Sequence, residues 1–160
     1  MLKKSLATGA FGGLLIGVLW TLGGSPVDAH DDEGGFRCTE RTLRGTYGGQ
    51  IQGTRPVPPP LGGGFETIIG VVIRTYDGAG NFTQVDNVKG SVTGITPDRP
   101  GFGTYTVSSD CTAIFEAEPA PGIVLQERAV ILSLGREIRS ITASPASVMV
   151  TSVGHRIDRP

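Results

Sequence analysis

From Leu43 to Ile157 the chain alternates polar and apolar residues with a period of two, the spacing at which one face of a β-strand is buried. The pattern is clearest in Gly101–Thr112, G-F-G-T-Y-T-V-S-S-D-C-T. Gly103, Tyr105 and Val107 share one face and Thr104 and Thr106 the other. Ser108-Ser109-Asp110 supplies a tight polar turn, and Cys111 starts a return strand that runs to Glu118. Leu43–Thr54 repeats the motif, with Gly45, Tyr47, Gly49 and Ile51 on one face and the same G-T-Y start. Glycine at these positions permits sharp coiling of a strand. Phe65–Tyr76 departs from simple alternation. Its Ile and Val residues fall on both parities, which predicts burial on both faces or a bulge near Gly70.

Turn chemistry separates the remaining segments. Asp77-Gly78-Ala79-Gly80-Asn81 predicts a hairpin loop, since Asp, Gly and Asn tolerate positive φ, and Asn81–Val92 is then the returning strand. A calcium loop is the rival reading of this stretch, but it lacks the further carboxylates that an oxygen cage requires. Ile123–Leu134, Glu137–Ala143 and Ser147–Ile157 are three more strands, bounded by Pro119–Gly122, Gly135-Arg136 and Ser144-Pro145-Ala146. Two stretches read as connections. Arg55–Gly64, R-P-V-P-P-P-L-G-G-G, is a long surface loop, with a flap over one end of the domain as the rival reading, because proline removes ladder donors and triple glycine is limp. Gly94–Gly101 is the other. Phe36–Leu43 is a short helical turn or edge segment.

About eight short strands joined by hairpins predict an all-β fold. The expected architecture is a small antiparallel up-and-down barrel, because closure removes the exposed edges a meander would leave; a two-sheet β-sandwich is the alternative.

The N-terminus changes the picture of where this domain resides. Lys3 and Lys4 precede the uncharged run Leu6–Leu22, and Val27-Asp28-Ala29 places small residues at −3 and −1 of a cleavage site. Residues 1–29 are therefore expected to be a signal peptide, against the alternative of a retained membrane anchor. Residues 30–160 form one domain, with a flexible start at 30–35. Removal of Lys3, Lys4 and Asp28 shifts the net charge only from −1 to −2. That leaves no electrostatic case for nucleic acid or for anionic membranes. Export implies a secreted or periplasmic protein, where two cysteines ordinarily pair. Cys38 and Cys111 would close a loop of about 74 residues, worth roughly 4 kcal/mol in the chain-entropy model.

Several motifs together carry a resemblance. G-T-Y near the start of the domain, D-G-x-G-N-F-T (Asp77–Thr83), G-T-Y-x-V-x-x-D-C-T (Gly103–Thr112) and V-x-V-T-S-V-G (Val148–Gly154) resemble a group of uncharacterised exported bacterial proteins. That resemblance implies no activity. In strand count the chain is also similar to calycin and allene oxide cyclase-like barrels, an architectural likeness that transfers no catalytic residue.

An eight-stranded barrel is either filled by side chains or holds one small ligand. Candidates for lining a cavity are the polar residues inside strands: Arg74, Gln84, Asp86, Asn87, Glu127, Arg128 and Arg139. For each, the competing reading is the solvent face. Arg74 fits that reading least, since its strand is otherwise apolar. Pointing inward, it would need an anionic ligand or an acidic partner, for which Asp86 on the neighbouring strand is the candidate. His30, at the new amino terminus, and His155 form a weak candidate copper site, against two ordinary exposed histidines. No G-x-S-x-G, H-E-x-x-H or C-x-x-C is present, so no catalytic residue and no cofactor is implied. The only Trp, Trp20, leaves with the signal, which weakens a case for stacking on sugars. Three functions follow in order: a barrel binding a small apolar or weakly acidic molecule, a cyclase- or isomerase-type enzyme, and a structural or interaction module with a filled core.

Overall fold

The computed structural model describes residues 36–157, and within them eight strands close into one antiparallel up-and-down barrel. Residues 1–35, which include the expected signal peptide and His30, and residues 158–160 lie outside the described residues. The strands are β1 (Gly45–Pro56), β2 (Phe65–Tyr76), β3 (Asn81–Gly90), β4 (Gly94–Val107), β5 (Thr112–Ala120), β6 (Ile123–Leu132), β7 (Glu137–Ser144) and β8 (Met149–Arg156). Each pairs with its neighbour in sequence, and β8 returns to β1 through Tyr47↔Arg156 and Gly49↔Gly154. The ring has no free edge, so every strand's donors and acceptors find partners without a second sheet.

Both stretches expected to be connections are shorter than their sequence implied. Arg55 and Pro56 are the last residues of β1, paired with Glu66 and Phe65, so the loop is 57–64 with a single 3₁₀ turn at Pro59–Leu61. Proline is tolerated there because it sits at the strand's end. The expected Gly94–Gly101 connection is the first half of β4, which runs to Val107. Of its two prolines, Pro100 stays in register beside Val85, and Pro97 is accommodated by an irregularity, since the register with β3 shifts between Asp86 and Val88, opposite Pro97 and Asp98. Pro119 does the same in β5, where pairing with β6 skips from Ala117 to Ala120. Bulges admit the missing donor without breaking the wall.

One end of the barrel is plugged. A 3₁₀ turn at Glu40–Leu43 drives Leu43 into the interior beneath Tyr47, Tyr76, Phe82, Tyr105 and Phe115, all buried. The Tyr76 ring meets Tyr47 edge-on at 5.3 Å and Tyr105 at 5.2 Å, an arrangement favoured by the aromatic quadrupole. Polar tips of the plug are satisfied by backbone. The Tyr47 hydroxyl donates to the Gly135 carbonyl, and Tyr105 to that of Glu40 at 3.1 Å. Arg156 closes the seam, donating to the Thr42 carbonyl at 2.8 Å and to the Tyr47 hydroxyl at 2.9 Å. The expected disulfide is formed: Cys38 and Cys111, 73 residues apart, pin this plug to the β4–β5 turn.

The second G-T-Y start has a packing reason. Gly103 lies under the Phe82 ring, and a Cβ there would come within 2.5 Å of it as well as striking the Glu116 carbonyl. Gly103→Ala is expected to cost about 1–3 kcal/mol, the range for overpacking a filled core. An unchanged urea midpoint would refute this close approach.

Candidate functional site

Inward-facing positions change character along the barrel. Beyond the aromatic plug the inner residues become Arg74, Gln84, Asp86, Glu127, Ser140 and Ser152, and above them Ile51, Ile68, Val72, Leu125 and Val150. The space between these walls is a partly enclosed cavity of about 260 Å³ that reaches Pro56, Ile123 and Val148 at the end opposite the plug. Its floor is polar and its sides are apolar. The alternation read from the sequence produces this directly, since every second residue of each strand points in.

The floor is one continuous hydrogen-bonded chain. The Ser152 and Ser140 hydroxyls lie 2.8 Å apart, and Ser140 donates to Glu127 Oε2 at 2.8 Å. Arg74 meets the same carboxylate in a two-pronged pair, Nη2 to Oε1 at 3.1 Å and Nη1 to Oε2 at 3.3 Å. Its Nε and Nη2 also donate to the Gln84 carbonyl oxygen at 3.0 and 2.8 Å. The Gln84 amide donates to Asp86 Oδ2 at 3.0 Å, and Asp86 accepts two bonds from Arg99, at 2.9 and 3.0 Å. The Arg74 guanidinium rests 4.4 Å above the Phe82 ring, a cation–π seat in a water-poor place. Among the described residues no buried side-chain nitrogen or oxygen is left without a partner.

Electrostatics follows from that pairing. Burial pushes the Glu127 carboxyl up, but the Arg74 charge and the bonds from Arg74 and Ser140 outweigh it, and the group is held below its usual range. Burial also opposes the charge on Arg74, and Glu127 overcomes it, so the guanidinium stays charged. Burial pushes the Tyr76 phenol up to about 12, so it remains protonated at neutral pH.

A third buried carboxylate braces the wall at the end opposite the plug. Glu66 accepts backbone N–H bonds from Val92 at 3.0 Å and Thr93 at 2.9 Å, and the Arg55 Nε at 2.8 Å. The Thr93 backbone bond, chiefly, holds it at about 2 against the effect of burial. All of its bonds tie β1 and β2 to the β3–β4 turn. Its work is structural.

Four of the seven polar residues singled out by sequence, Arg74, Gln84, Asp86 and Glu127, meet in the floor. The other three do not. Asn87 faces out on β3 and bonds Asp98, accepting its N–H at 3.1 Å. Arg128 is exposed on β6, and Arg139 is exposed on β7, paired with Glu137 at 2.6 Å. They occupy the opposite parity, which carries a strand residue to the outer face. The expected Arg74–Asp86 pair is not formed: Arg74 reaches across to Glu127 on β6, and Asp86 takes Arg99. His155 is exposed and 3.9 Å from Glu137, and among the described residues no group of three metal-ligating side chains occurs. Sequence reasoning missed Arg99, hidden in a supposed connection, and Ser140 and Ser152. The serines share parity with inward Ile138 and with Val150, which was a usable signal.

Taken together, these features define a closed eight-stranded antiparallel β-barrel with one plugged end and one partly enclosed interior cavity, consistent with a calycin-like architecture. No family model, no curated protein and no solved structure matches the chain. The resemblance to exported bacterial proteins thus rests on its motifs alone. No helix among the described residues is long and apolar enough to cross a membrane.

Proposed function

We propose that the barrel is a binding protein for a small, mostly apolar molecule, neutral or weakly acidic, held in the interior with its polar group toward the floor. The observation that carries this is a cavity with apolar walls above a polar floor whose charges already cancel. Arg74 is matched by Glu127 and Arg99 by Asp86, so a strongly charged ligand would gain no unpaired partner while losing its own hydration. A hydroxyl or carbonyl needs only to share the hydroxyls of Ser140 and Ser152. The volume, about 260 Å³, lies near the lower edge of the range for ligand pockets and fits a small molecule. The isomerase reading lacks comparable support, because both Glu127 oxygens are engaged by Arg74 and Ser140. The disulfide suits an oxidising compartment, which supports a reading in which this binding takes place after export, in the periplasm or outside the cell.

The test uses 1-naphthol, an apolar and weakly acidic probe, titrated calorimetrically into the protein. Saturable one-site binding is expected, and Val72→Trp, which fills the cavity from its wall, should abolish it while leaving the far-ultraviolet dichroism of the barrel intact. Binding that ignores Val72→Trp, or no binding at all, would refute the proposal. Native mass spectrometry of protein exported by its own host then identifies a retained ligand.

A further inference from the structure

The outer face of β2 contradicts its own sequence pattern. Apolar residues on both parities predicted cover on both sides or a bulge near Gly70, yet Gly70 pairs in unbroken register with Ile51 and Val88, and Ile69, Val71 and Ile73 point outward and are 59, 55 and 53 % exposed. All six outward residues of this strand, Phe65, Thr67, Ile69, Val71, Ile73 and Thr75, are uncharged. The cross-strand register extends the surface sideways: Ile73 lies beside Val85, Val85 beside Pro100, and Thr83 beside Phe102. Ile95 is added beside Lys89. Of the polar groups inside this area, Asn87 and Asp98 are bonded to each other.

We infer that the outer face of β2–β4 is the contact surface of a symmetric homodimer, a second copy of this chain being its occupant. Size supports this. Phe65, Ile69, Val71, Ile73, Val85, Ile95 and Phe102 are all about half exposed or more. At roughly 100 Å² each they present roughly 700 Å², interrupted only by Lys89 between Ile69 and Ile95, and close to the about 800 Å² per partner of a standard interface. A lipid surface fits less well, because a membrane barrel needs an apolar band all the way round. Here the band stops: β1 turns Gln50 and Gln52 outward, β5 Glu116, β6 Arg128 and β7 Arg139.

Charge placement favours self-association over an unrelated partner. Lys89 marks one end of the patch, beside Ile69 and Ile95, and Glu116 and Glu118 mark the other, beside Thr104 and Phe102. A two-fold axis lying in the interface and crossing the patch between them sets Lys89 of each copy against the acidic edge of the other. An isologous contact of this kind makes each pairing twice, which is how a self-complementary patch closes. Opposite charges at the rim then set register more than strength.

Sedimentation equilibrium of the protein is the test, with far-ultraviolet dichroism confirming the fold of each variant. A dimer is expected, with Val71→Glu and, separately, Val85→Glu raising the dissociation constant on the order of 30-fold or more. Lys89→Glu should weaken association several-fold, and adding Glu116→Lys should restore it. A wild-type protein still monomeric at on the order of 100 µM overturns the inference, since a face of this size should associate there. So does a dimer that neither Val71→Glu nor Val85→Glu disturbs. A monomer that co-sediments with phosphatidylglycerol vesicles overturns it in favour of lipid. Because every substituted residue faces outward, 1-naphthol uptake by the variants reports separately on the cavity.

Discussion

Glu127→Ala is expected to destabilise the barrel by about 3–5 kcal/mol, the cost of removing one member of a buried ion pair. The Arg74 and Glu127 side chains are only 13 and 11 % exposed. With the carboxylate gone, the guanidinium keeps only neutral partners, Gln84, Tyr76 and the Phe82 ring, none of which cancels its charge. Ser140 loses its acceptor at the same time. In a domain of this size such a loss lowers Tm by roughly 10–20 °C. The double variant Arg74→Met with Glu127→Leu should recover most of it, because a buried pair replaced by apolar side chains is often close to neutral. A double-mutant cycle by urea unfolding separates the outcomes: if Glu127→Ala alone costs less than about 1 kcal/mol, the floor is not held by this pair.

The same pair predicts a pH dependence with a definite sign. Glu127 is held below its ordinary value in the folded state, so the folded protein binds fewer protons there than the unfolded chain. The stability it contributes is present above the unfolded value, about 4.3, and is lost as pH falls through the folded value. The difference in stability between the protein and Glu127→Gln should therefore be largest near neutrality and shrink in acid. A difference that grows on acidification would reverse the assignment.

The second large effect is expected at the sulfur link. Replacing Cys38 and Cys111 together by Ser should cost about 2–4 kcal/mol, somewhat below the chain-entropy figure for a loop of this length. Part of the plug is held independently. Glu40 accepts the Val107 N–H at 3.2 Å, its carbonyl accepts the Tyr105 hydroxyl, and Leu43 is fully buried. The barrel should therefore remain closed while the segment ahead of β1 becomes easier to detach. Arg37, Arg41 and Arg44 flank that segment, so brief trypsin treatment should cut the serine variant well before the parent. Equal melting temperatures and equal trypsin resistance would show that the link is dispensable.

Much of this fold is legible in the chain because strand parity and turn chemistry are local. Alternation around Tyr47, Tyr105 and Glu127 assigns inner and outer positions, and Asp77–Asn81 and Ser108–Asp110 carry residues suited to tight reversal. The errors were local too. Pro56, Pro97, Pro100 and Pro119 predict breaks, and the structure seats Pro56 at a strand end, Pro97 and Pro119 at bulges and Pro100 in register within the wall. Alternation by itself sets Asn87 and Arg128 on the side opposite Asp86 and Glu127, and Arg139 opposite Ile138, so the seven polar candidates could never all face inward together.

Sequence alone determined that the chain is all-β, that consecutive hairpins would carry it round, and that its two cysteines would meet. Each of these follows from neighbours along the chain or from there being a single candidate partner. Only the tertiary structure decided that Arg74 finds Glu127, 53 residues away, rather than Asp86 beside it. Closing a sheet into a ring staggers the strands, and that stagger sets which inward side chains stand at the same height across the interior. Height across a barrel is a property of the whole circuit, so no single stretch of sequence contains it.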